Sequence, residues 1–280
     1  SDTGGDGSTS KPYRSVAKAL QKVKSGDTVF VDAGLYSETV VIDTDFIALI
    51  GKDSNATVID PPGLNATAGL YGIYADTQTG LTIKNLGVTG AYDGIHFHNV
   101  DQSTITGDSA SSNGAYGIHL RVGSDTNTIT GNTASSNLYG IFLESSSNDN
   151  IVSNNTSNSN TNSGIILSSS SRNAVNNNTA SLNASYGIVL SSGSDSTTVS
   201  GNTAGSNTNY GIVLETSNNN TVANNTTSSN TYGILLDLGA SKNTVSNNTV
   251  ASNSNYGVWL KSSSANTVVQ NELNSNTKYQ

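Results

Sequence analysis

A Tyr-Gly-Ile signature recurs along the chain at a nearly constant interval. Its glycines are Gly72, Gly94, Gly117, Gly140, Gly164, Gly187, Gly211, Gly233 and Gly257, spaced 22 to 24 residues apart. Each unit reads as three short strand-like pieces separated by polar turns. Apolar residues come in i, i+2 pairs, which is strand spacing, and helical periodicity is absent. A unit this small cannot bury its own apolar face, but it can when stacked on copies of itself. The pattern therefore predicts a single-stranded right-handed parallel β-helix with one coil per repeat. A leucine-rich repeat has a similar period, but its leucine signature and helical segment are missing. A propeller blade needs about 40 residues.

Alternation assigns the side chains. Ile73, Ile95, Ile118, Ile141, Ile165, Ile188, Ile212, Ile234 and Val258 form one inward stack. Ala75, Phe97, Leu120, Leu143, Leu167, Leu190, Leu214, Leu236 and Leu260 form a second, and the column from Ile83 to Val268 forms a third. Ala110, Ala134, Ala180 and Ala204 are expected to point inward from the third strand. Asparagines recur in register at the turns, as in the column Asn132, Asn155, Asn178, Asn202, Asn225, Asn248 and Asn271. Asn tolerates left-handed backbone, and its amide can bond the coils on either side. The tyrosines before the glycines are expected to stack at a corner.

Residues 1–70 differ and read as an N-terminal cap with the first irregular coils, continuous with the regular repeats of 71–280. Residues 12–24 are amphipathic at helical spacing, with Val16, Ala19, Leu20 and Val23 on one face, Ser10 as cap and Pro12 in the first turn. This helix is expected to plug one end of the stack. The other end, near Asn271–Gln280, shows no evident cap.

Composition excludes several functions. There is no Cys, so no disulfide framework, zinc finger or thiol nucleophile is possible. No apolar run is long enough to span a membrane. Twelve Lys+Arg against twenty Asp+Glu give a net charge of −8, the wrong sign for nucleic-acid binding. The chain starts at Ser1, which fits a processed start; low charge and the lack of Cys and Met suit an extracellular or cell-surface setting. Among the Asn-x-Ser/Thr sites, Asn55 and Asn65 lie outside the regular repeats and are the better glycosylation candidates.

The N-terminal run STSKPYRSVAKALQKVKSGDTVFVDAGLYSETV resembles the opening helix and strands of the pectin-lyase-like superfamily, and the repeats resemble NosD-like parallel β-helix repeats. The resemblance covers nearly the whole chain and implies the fold. It says little of function, because this architecture hosts lyases, hydrolases, epimerases, adhesins and inert spacers. Superfamily enzymes acting on uronic-acid polymers use a basic groove, where a base removes the C5 proton and cations neutralise the carboxylate.

All three histidines are local. His96 falls in register with His119, and His98 with Arg121. If the protein is an enzyme, a uronate lyase or C5-epimerase, then His96, His119, Arg121 and Tyr92 are the candidate catalytic residues. No dense carboxylate cluster for calcium appears in the repeats; Gly4–Ser8 (GGDGS) is the one turn able to hold calcium, and no cofactor is expected. Two histidines alone are too few to assign a metal.

Alternation also points Tyr74, His96, His119, Phe142, Ile166, Val189, Val213, Leu235 and Trp259 away from the core as a continuous outer stripe. A bare apolar band of that length is unusual on a monomer. A loop, a polysaccharide or another protein chain must cover it, and its aliphatic middle favours protein. Tyr74, Phe142, Ile166, Val189, Val213, Leu235 and Trp259 are thus the expected interface of a self-associating subunit of a surface layer, sheath or filament. The alternatives are the polysaccharide-active enzyme and a non-catalytic carbohydrate-binding adhesin.

Overall fold

In the computed structural model, which describes residues 4–63 and 69–278, the chain winds as a right-handed parallel β-helix. The Tyr-Gly-Ile segments form a ten-stranded parallel sheet, from Val40–Ile42 through Asp93–His98 and Tyr116–Arg121 to Val258–Leu260. The second segments form an eleven-stranded sheet from Thr28–Val31 to Thr267–Val269. The third side is less regular: a four-stranded and a three-stranded sheet, joined by single pairings such as Thr133↔Thr156 and Thr156↔Thr179.

Register places like on like. Ile165 pairs with Ile188, Leu167 with Leu190 and Val175 with Val199. These residues are fully buried, as are Ala110, Ala134, Ala180 and Ala204. The stacks fray on the last described coil, where Leu260 is 44% and Val268 37% exposed because no further described coil covers them. Both were expected inside.

The asparagine columns are continuous ladders. Asn178 donates its backbone N–H to Oδ1 of Asn202 (2.9 Å) and its amide to the Val152 carbonyl (2.8 Å). Its own Oδ1 accepts the backbone N–H and the amide of Asn155. Each buried turn thereby satisfies donors that the short strands leave unpaired.

The helix is shorter than the sequence implies. It spans Val16–Leu20, and its N-cap is Ser15, whose hydroxyl accepts from the Lys18 N–H. Neither Ser10 nor Pro12 serves as expected: the Glu38 carboxylate accepts the Val16 and Ala17 N–H groups and so fixes the start there. Val16 and Leu20 are buried against the first coils, with Ala19 and Val23 half-buried beside them.

Candidate functional site

The outer surface of the ten-stranded sheet departs from expectation. Its column is in register but not bare: Val189, Val213 and Leu235 are 8%, 1% and 3% exposed, and Tyr74, Phe142, Ile166 and Trp259 are half-buried. Gly117 and Ile118 are both buried, with Gly117 packed against the Ala110 carbonyl. Strict alternation therefore slips by one residue at the glycine. Tyr116 and His119, three apart, emerge on the same side with rings 4.1 Å apart. The same geometry lays Tyr71 on Tyr74 (4.7 Å), Tyr139 on Phe142 (5.8 Å) and Tyr256 on Trp259 (5.0 Å). The tyrosines thus cover much of the stripe, whose residues are less exposed than alternation implied.

The tyrosine column is broken twice, by Ser163 between Tyr139 and Tyr186 and by an acid. Asp93 takes the tyrosine position between Tyr71 and Tyr116. Its Oδ2 lies 2.5 Å from Nδ1 of His96 and 3.1 Å from Nδ1 of His119. Nε2 of His119 reaches Oε1 of Glu144 at 3.3 Å, and Nε of Arg121 lies 3.6 Å from the same oxygen. Asp93, His96 and His119 are all nearly inaccessible, roofed by the rings of Tyr71, Tyr74 and Tyr116.

The charges follow from these contacts. Burial pushes the Asp93 carboxyl up, but hydrogen bonds from His119 and His96 outweigh it and hold the group below its usual range. Burial dominates at His96 and lowers its pKa. At His119 burial acts in the same direction, yet the Asp93 and Glu144 carboxylates outweigh it and raise the pKa. Glu144 is lowered, chiefly by the hydrogen bond to His119. The environment therefore favours a neutral His96 and a cationic His119 between two carboxylates.

A second set of groups lies beside this cluster, in the next outward column. Asp76, His98 and Arg121 occupy three successive coils in register. Nδ1 of His98 sits 2.8 Å from Oδ1 of Asp76, whose other oxygen accepts the Tyr74 hydroxyl at 3.2 Å. These side chains are accessible: His98 is 35%, Asp76 44% and Arg121 41% exposed.

Of the sequence candidates, His96, His119 and Arg121 are brought together, the two histidines below the surface. Tyr92 is not part of the cluster; its hydroxyl bonds no described residue, and its backbone N–H holds the Leu70 carbonyl at 2.8 Å. Asp93, Glu144, Asp76 and His98 were not among the candidates. An acid interrupting an aromatic column, one coil below a histidine, is the signal that identifies Asp93. Asn55 is exposed in a turn, whereas Asn65 lies outside the described residues. Gly4–Ser8 forms part of a turn in which Asp6 Oδ1 accepts the Ser8 N–H and the Asp6 N–H reaches the Lys11 carbonyl.

A family model described as periplasmic copper-binding protein (NosD) matches residues 53–198 and 183–280. A protein-of-unknown-function model matches residues 1–55. None of the curated proteins matches. Among solved structures, the A-module of the mannuronan C-5 epimerase AlgE4 of Azotobacter vinelandii superposes with a TM-score of 0.73 at 16% identity, covering 94% of this chain and 90% of that one. Pectate lyase Pel9A gives 0.76 at 17% identity, covering 94% and 76%. The Dettilon tailspike protein gives 0.74 at 19% identity, covering 92% and 57%. At these identities the likeness is one of fold.

Proposed function

The chain belongs to the NosD family, and we propose that it works outside the cytoplasm, in the periplasm or at the cell surface, on an acidic polysaccharide. The family model's periplasmic description and the polysaccharide enzymes among the structural neighbours support this. No described helix is long and apolar enough to cross a membrane.

The observation that carries the reading is the accessible row Asp76, His98, Arg121. Asp76 accepts from Nδ1 of His98, which fixes the tautomer and leaves Nε2 free to take a proton. Arg121 stands one coil away, about 4.8 Å along the axis, placed to pair with a uronate carboxylate next to the carbon that loses the proton. Glu144 lies behind Arg121, its Oε1 3.6 Å from Nε. The chemistry is proton abstraction at C5, leading to epimerisation or, with loss of the neighbouring glycosidic oxygen, to chain cleavage.

The test is incubation with alginate and polygalacturonate. Proton NMR reads the epimer ratio, and ultraviolet absorbance reads unsaturated ends. His98→Ala is expected to lower the rate by roughly 10²–10⁴-fold, and Arg121→Ala to do likewise. No conversion of any uronate polymer by the parent protein, or full activity in both variants, overturns the enzyme reading.

Self-association into a layer, sheath or filament remains a second reading, favoured by a different observation. Phe30, Leu35 and Val41 on the first coils are 78%, 66% and 49% exposed. Light scattering of the parent protein separates a monomer from a polymer.

A further inference from the structure

The buried cluster beneath this row has no part in the proton transfer just described. Nothing in the fold demands it. The three positions of Asp93, His96 and His119 carry Tyr116 in register with Asp93, Tyr74 with His96 and Phe142 with His119, and the β-helix runs through them unchanged. A column that accepts aromatic residues elsewhere has here been given two imidazoles and a carboxylate.

Their geometry is convergent. One ligand atom from each of the three side chains lies within 4.8 Å of the other two. The other oxygen of Asp93, Oδ1, is buried without a hydrogen-bond partner, although the residue is only 2% exposed. A buried carboxylate oxygen left in this way costs free energy unless something else engages it. Among the described residues, nothing does.

We propose that Asp93, His96 and His119 form a binding site for one divalent transition-metal ion. Donor chemistry selects the class. Two nitrogens and a carboxylate, without sulfur, suit zinc, copper and nickel, and the ordinary order of stabilities places copper(II) first. Bonds of about 2.0–2.2 Å put ligand atoms about 3.4 Å apart in a tetrahedral site. The side chains therefore close by about 1.4 Å at most, within the reach of χ rotations. In the metal-free site each Nδ1–H faces Asp93 Oδ2; on binding, His119 releases its Nδ1 proton to solvent and His96 shifts its ring proton to Nε2, so that both Nδ1 lone pairs face the ion. Glu144 then serves as acceptor for His119 Nε2–H, the outer partner that metal-bound histidines ordinarily have. The proposal is independent of the polysaccharide reading.

The experiment titrates the full chain, stripped with chelator, with copper(II) chloride and zinc chloride by calorimetry, and records copper(II) electron paramagnetic resonance. The expected result is one ion per chain with hyperfine coupling to two imidazole nitrogens. His119→Phe and His96→Tyr follow residues that the column already holds, so both should fold, as circular dichroism will show. Each should weaken binding at least ~10–100-fold, the loss that even an outer partner causes, and reduce the coupled nitrogens to one. Asp93→Asn provides a third variant that preserves shape. His98→Ala should retain full affinity while losing activity on the polymer, so the two proposals fail separately. Absence of saturable binding of either ion, or unchanged affinity in the folded His96 and His119 variants, overturns the site.

Discussion

Asp108 occupies a position that Asn132, Asn155, Asn178 and Asn202 fill in later coils. It takes over part of the ladder: its Oδ1 accepts the Leu86 N–H at 2.7 Å, and its own N–H donates to Asn132 at 2.9 Å. An ionised carboxylate has no proton for the remaining task, which Asn132 performs by donating its amide to the Ile105 carbonyl. Oδ2 of Asp108 accordingly has no partner, and burial pushes the pKa up to about 7. The folded state thus keeps a proton that the unfolded chain releases near pH 4. The resulting stability is fully present below the unfolded pKa and is lost as pH rises toward 7, at about 1.4 kcal/mol per pH unit. Asp108→Asn should abolish that slope and raise stability at pH 8. Urea denaturation at pH 4.5, 6 and 8 measures both, and parallel profiles for variant and parent would contradict it. The ladder was legible in the sequence, because asparagines recur at the repeat interval. The buried acid cluster was not, because Asp93 and His96 emerge on one side of their strand only through the slip at Gly94, which period-two alternation does not show.

At the level of strand and turn, the glycine before each Ile sets the geometry. A Cβ on Gly187 would lie 2.5 Å from the Gly211 carbonyl oxygen and 2.9 Å from both the Ala180 carbonyl oxygen and Ala204 Cβ. Two of the three are backbone atoms of packed coils and have little room to yield. Gly187→Ala should therefore cost about 1–3 kcal/mol, as overpacking of a dense interior does. Chemical denaturation reads it, and an unshifted midpoint would mean that the coils spread without penalty. The same close approach explains why period-two reasoning misplaced the outer stripe. Alternation correctly assigned Ile188 and Leu190 to the interior, but it carries no information on a slip at the glycine. The helix was misjudged for a comparable reason. Its amphipathic face was visible in Val16 and Leu20, whereas its start depends on Glu38, a distant residue.

For the molecule as a whole, the repeat interval alone specified the architecture, because only stacking buries these short strands. It also permits a sharp test of which surface is free. Val213 and Leu235 pair in register and are 1% and 3% exposed under the tyrosine column. Changing both to Lys should desolvate two charges and destabilise the coils by several kcal/mol, instead of leaving a folded chain that merely fails to associate. Thermal melting decides. A double variant that melts like the parent would restore this column as a surface available to a partner. The exposed residues on the first coils, Phe30 and Leu35, should tolerate Lys under the same conditions.

The coil-to-coil pairing has a mechanical consequence. Strands within each sheet bond only to the coils immediately before and after, and the asparagine ladders repeat that rule at the turns. Tension applied along the chain therefore loads a single contact at a time, at whichever end is exposed, while the remaining coils carry none of the rupture. The molecule should yield like a spool, paying out one turn of about 23 residues, roughly 80 Å of contour, per event. Each event leaves the remaining coils paired as before.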